Sequence, residues 1–90
     1  MREHERKNIM ARTFSMATTV DPSSLLVRAK KAASENGATL RGDERSGRFS
    51  HEMLRGEYRM VGRTVVVTIT DKNWLVPWPI LEAQLRELVR

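Results

Sequence analysis

The stretch GEYRMVGRTVVVTIT, Gly56–Thr70, decides the architecture. Tyr58 and Met60 alternate with Glu57, Arg59 and Val61, and Thr64–Thr70 alternates again. Such period-two patterning marks strands with one apolar face. Between them stands Gly62-Arg63, and a glycine in the first position suits a two-residue type II′ hairpin turn. That turn pairs Val61 with Thr64, Met60 with Val65, Arg59 with Val66 and Tyr58 with Val67. Opposed residues share a sheet face. The register therefore gathers Tyr58, Met60, Val65, Val67 and Ile69 on one side and Glu57, Arg59, Val66, Thr68 and Thr70 on the other. A slip of one residue would mix tyrosine with threonine, so the two strands support each other's assignment.

Working outward, Asn73-Trp74-Leu75-Val76-Pro77-Trp78-Pro79 reads as an apolar loop, followed by a helix over Ile80–Val89 with the stripe Leu81, Leu85, Leu88 and Val89. Glu82 and Arg86 have the i,i+4 spacing of a helical ion pair. Upstream, Arg48–His51 predicts a strand, Gly42–Gly47 a turn, Ala38–Arg41 a short strand and Glu52–Arg55 an irregular connection. Asp21-Pro22 is a helix start, with an acidic N-cap and proline in the first turn. Leu25, Leu26, Ala29, Ala32 and Ala33 form one helical face, and Asn36-Gly37 ends the helix. The alanines predict a close approach to whatever that face meets. Arg12–Thr18 predicts a leading strand. The resulting order is β-α-β-β-β-β-α, an α+β domain over residues 11–90. Its two helices pack on one face of an antiparallel sheet and its other face is polar. Residues 1–10 read as a loose tail.

Composition narrows the chemistry. Ninety residues without cysteine exclude disulfides, thiolate metal sites and a cysteine nucleophile, and they suit a reducing cytoplasm. No window is long and apolar enough for a membrane span, so an integral membrane protein is not expected. The net charge of +5 is spread as +1, +2, +2 and zero over residues 1–10, 11–36, 37–63 and 64–90. No block of like charge forms a nucleic-acid arm. His4 and His51 are too few and too far apart to predict a metal site. Asp43-Glu44 sits in a turn where acids are ordinarily solvated. No nucleophile elbow or phosphate-cradling glycine loop appears. No cofactor, metal or catalytic residue is expected.

Two surfaces remain as candidates. The polar sheet face carries Arg41, Arg48 and Arg59, which suits phosphate contacts to nucleic acid. The aromatics that would stack bases, Phe14, Phe49 and Tyr58, fall on the opposite face. A solvated face is the plainer reading. The Trp74, Leu75 and Trp78 cluster is either a docking site, because tryptophan is enriched among binding hot spots, or a lid over one end of a small core. The lid is the favoured of the two.

Gly47-Arg48-Phe49, Arg55-Gly56-Glu57-Tyr58, Gly62-x-Thr64-Val65-Val66-Val67 and the closing amphipathic helix together resemble the bacterial polyhydroxyalkanoate-system (granule-region) family. The resemblance covers roughly residues 12–89, the span of the seven elements. It implies the same leading strand and helix, a glycine-punctuated meander and a final helix, with attachment to a granule or lipid surface. The Trp74–Pro79 loop departs from that pattern, and no catalytic residue is carried over. The functional expectation is a non-enzymatic binding module with a protein partner or a second copy of itself. Nucleic-acid binding through the arginine face is the alternative.

Overall fold

The computed structural model describes residues 11–90, so the expected tail and His4 lie outside the described residues. The elements are β1 (Arg12–Ala17), α1 (Pro22–Glu35), β2 (Thr39–Gly42), β3 (Ser46–His51), β4 (Leu54–Val61), β5 (Thr64–Lys72) and α2 (Trp78–Leu88). The five strands form one antiparallel sheet in the order β1-β5-β4-β3-β2. β1 and β2 occupy opposite edges, and α1 carries the chain from one to the other.

Local chemistry sets the boundaries. The Asp21 carboxylate accepts the Ser23 and Ser24 N–H groups at the start of α1. These bonds and the Ser23 hydroxyl hold its carboxyl below the usual aspartate value, the hydroxyl bond contributing most. Gly37, with φ +72°, ends α1 as the sequence predicts. The β4–β5 hairpin has the expected register from Val61↔Thr64 to Tyr58↔Val67. Gly62 has φ +60° and no non-glycine residue among those described has positive φ, as a type II′ turn requires.

The structure corrects the sequence reading around β3 and β4. β3 begins at Ser46 and β4 at Leu54, and Glu52–Arg55 is not an irregular connection. His51 pairs with Leu54 across a two-residue turn, with His51 Nδ1 accepting the Met53 N–H at 3.0 Å. β5 continues to Lys72 through a bulge. Arg55 pairs with Asp71 but Gly56 pairs with Ile69, which leaves Thr70 as the extra residue. The bulge turns Lys72 to the face carrying Ile69, where it is buried.

Phe49 and Tyr58 explain two of the glycines. Phe49 lies opposite Gly56, and Tyr58 opposite Gly47. A Cβ would stand 2.5 Å from the Phe49 ring at Gly56 and 2.5 Å from the Tyr58 ring at Gly47. Each aromatic ring covers the glycine across from it, and the glycine motifs of β3 and β4 are the record of that packing.

The core is off-centre. Its buried members are Phe14 and Met16 of β1, Val65, Val67 and Ile69 of β5, Leu25 of α1, and Leu81 and Val89 at α2. On β3 and β4, Phe49, Leu54, Tyr58 and Met60 share the same face yet are only half-buried. Helix α2 sits over the β1–β5 side, where the Phe14 and Trp78 rings lie 5.9 Å apart. At its far end Thr18 Oγ1 donates to the Val89 carbonyl at 2.6 Å. Arg28 of α1 donates to the Leu88 and Arg90 carbonyls at 2.8 and 2.9 Å, joining the two helices.

Candidate functional site

The off-centre core leaves space on the other half of the sheet. Between the helices and β3–β4 runs a groove of about 660 Å³. Leu26, Ala29, Ala32 and Ala33 of α1 roof it, with Leu85 and Leu88 of α2. Its floor is Phe49, Leu54, Tyr58 and Met60, continued by Val65 and Val67. The alanine face therefore does not close on the sheet as the sequence suggests. Methyl groups are too short to reach across to β3 and β4, and the gap is the consequence.

A magnitude shows what this gap demands. Sealed and empty, 660 Å³ would cost about 16 kcal/mol at the usual rate for cavities. That exceeds the roughly 5–15 kcal/mol by which a whole domain is stable. The groove is instead open to solvent or filled by something apolar. Its volume lies within the range of small-molecule pockets, about 300–1,000 Å³.

Arg28 of α1 and Gln84 and Glu87 of α2 add polar groups to the lining. His51 and Met53 lie at the end where α1 finishes. At the opposite end the Tyr58 hydroxyl donates to the Asp43 carbonyl at 2.7 Å. Burial, with a smaller push from the Asp43 carboxylate, raises the Tyr58 phenol above its ordinary pKa. Asp43 is itself held low because its carboxylate accepts the Ser46 and Arg45 N–H groups. Among the described residues no group of three or more His, Cys, Asp or Glu side chains converges as a metal site would require.

The Trp74–Trp78 loop divides in its burial. Val76 and Trp78 pack against the core, so that half is a lid. Trp74 and Leu75 point out, 79% and 58% exposed, and Ile80 beside them is also exposed. Lys72 holds the loop in shape. It is 9% exposed, its ammonium donates to the Asn73 and Val76 carbonyls, and it lies 5.0 Å from the Trp78 ring centroid. Arg12 covers the same ring at 4.5 Å. The Asn73 side chain accepts the Leu75 N–H, and the Asn73 N–H reaches the Met53 carbonyl.

The opposite sheet face is polar. Arg41 and Arg48 are directly opposed on β2 and β3, and Arg59 lies opposite Ser46 on β4. Arg48 and Arg59 line a shallow depression of about 350 Å³ with Thr13, Ser46, Glu57 and Thr68. The three arginines singled out from the sequence thus share one face. The groove has no sequence signature: periodicity assigns each residue to a face but carries no measure of the gap between layers.

No protein-family model, curated protein or solved structure matches this chain. None of the described helices is long and apolar enough to cross a membrane.

Proposed function

We propose that the chain is a non-enzymatic binding module whose ligand is an elongated aliphatic chain held in the groove between its helices and β3–β4. The observation that carries this reading is an apolar groove of about 660 Å³ lined by leucine, methionine, alanine and valine side chains. A partner helix is about 10–12 Å across with its side chains. A single hydrocarbon chain is far narrower and fits beneath two helices already joined to each other by the Arg28 contacts. The half-buried Phe49, Leu54, Tyr58 and Met60 would gain burial from it.

The test is displacement of a fluorescent fatty-acid probe by unlabelled carboxylates of increasing chain length. Affinity should rise by about 0.8 kcal/mol, roughly fourfold, per methylene until the groove is full. Ala29→Phe and Ala33→Leu, which project into the groove, should each abolish binding while the protein still melts cooperatively. Failure of the wild-type protein to bind the probe, or undiminished binding in both folded variants, would remove this reading.

The exposed Trp74–Leu75–Ile80 corner favours a second reading, contact with a protein partner or a second copy of the chain. A rigid loop presenting tryptophan loses little entropy on docking. Sedimentation equilibrium separates the two. A dimer dissociated by Trp74→Ala with probe binding intact places self-association at the corner and ligand binding in the groove.

A further inference from the structure

The arginine face contains an arrangement that folding alone does not reward. Arg41 and Arg48 are directly opposed on neighbouring strands, and like charges so placed destabilise a sheet. Two carboxylates share the face. Glu57 lies opposite Arg48, and Asp71 opposite Arg55. Yet the ion pairs found among the described residues are Arg86–Glu82 and Arg90–Glu87, both on or just beyond α2. Arg41, Arg48, Arg55 and Arg59 therefore stand on one face with no described carboxylate within ion-pair distance. Hydroxyls from Thr13, Ser46, Ser50 and Thr68 share that face. A local choice that opposes stability is a mark of function.

We propose that this face is a second binding surface, independent of the groove, for the phosphate backbone of a duplex nucleic acid. Arginine forks and hydroxyls are the groups that hold phosphate oxygens. The duplex form follows from what the face lacks. Phe14, Phe49, Tyr58 and Trp78 all belong to the helix side of the sheet. No strand residue on the arginine face is aromatic, so single strands gain less from base stacking there. A duplex hides its bases and presents phosphates, which the arginines and hydroxyls of this surface match. Binding of this kind is independent of sequence.

Fluorescence anisotropy of a labelled 20-base-pair duplex, DNA and RNA in separate arms, tests the assignment between 50 and 200 mM salt. Micromolar binding is expected at the lower salt. Three neutralised phosphates give a slope of log K against log salt of about −2.7. The combined Arg41→Gln, Arg48→Gln, Arg59→Gln variant should weaken binding at least tenfold at 50 mM salt and flatten the slope. Lys30→Gln with Lys31→Gln, on the outward side of α1, should change neither. Arg41→Gln alone relieves the opposed charges and leaves Arg48 facing Glu57, so its melting temperature should not fall. Absence of duplex binding at 50 mM salt overturns the proposal. So does tighter binding to single strands, loss of binding in the lysine variant instead, or binding to phosphatidylserine vesicles without binding to duplex.

Discussion

A methyl group on Gly56 would stand 2.5 Å from Phe49 Cζ and 2.5 Å from the Thr68 carbonyl oxygen. The ring can move but the ladder carbonyl cannot. Gly56→Ala should cost about 1–3 kcal/mol in urea denaturation, and Phe49→Leu in the same chain should recover only part of it. Lys72 presents the opposite case, a buried charge with all its work done locally. Lys72→Ala removes charge-assisted bonds to the Asn73 and Val76 carbonyls and should cost about 2 kcal/mol, with faster motion of Trp78 in fluorescence anisotropy decay. An unchanged denaturation midpoint would show that the loop holds without its ammonium. Asp21 supplies a pH dependence. Its folded-state pKa is lowered, so the cap stabilises α1 above the unfolded aspartate value, about 3.9, and that contribution is lost as pH falls through the lower folded value. Wild type should melt above Asp21→Ala at pH 6, and the gap should close on titration below pH 4.

Elements were legible where local pattern and pairing carry the same information. Tyr58 and Met60 fall on the face of Val65 and Val67 only in one register, and that register is the one observed. The turn at Glu52-Met53 was not legible, because neither residue belongs to the usual turn formers. It is closed by a histidine nitrogen two residues back, a contact that composition does not announce. The Trp74–Pro79 loop was legible as a unit but not as a division. Its two halves differ only in whether a side chain reaches Phe14 and the core, which depends on where α2 sits over β1. That seat has its own lock. Thr18 Oγ1 donates to the Val89 carbonyl and accepts the Val20 N–H in a buried position. Thr18→Val keeps the shape and leaves both backbone groups unpaired, so it should cost about 1–3 kcal/mol. Hydrogen exchange should quicken in the last turn of α2 before it does so in β5; equal protection in both proteins would place the lock elsewhere.

The whole molecule has a complete core on one half of its sheet and a lined gap on the other. Neither half is visible in hydrophobic content, because the same apolar face runs across all five strands. What differs is reach: Leu81 and Val89 contact β1 and β5, whereas Ala29, Ala32 and Ala33 stop short of β3 and β4. An occupant of the gap would therefore act as missing core, and occupancy should be read as stability. An aliphatic carboxylate at about a hundred times its Kd should add about 2.7 kcal/mol. For a domain of this size that is a rise of roughly 10–20 °C in melting temperature. Ala29→Phe supplies part of the same volume from within. It should melt higher than wild type without ligand and show no further rise with it. A duplex nucleic acid meets the far face and fills nothing. Its effect on melting should vanish at high salt, while that of the aliphatic ligand should persist, because screening weakens exposed charges and leaves apolar burial intact. Two thermal shifts with opposite responses to salt, adding when both ligands are present, are the behaviour expected of a sheet that uses its two faces separately.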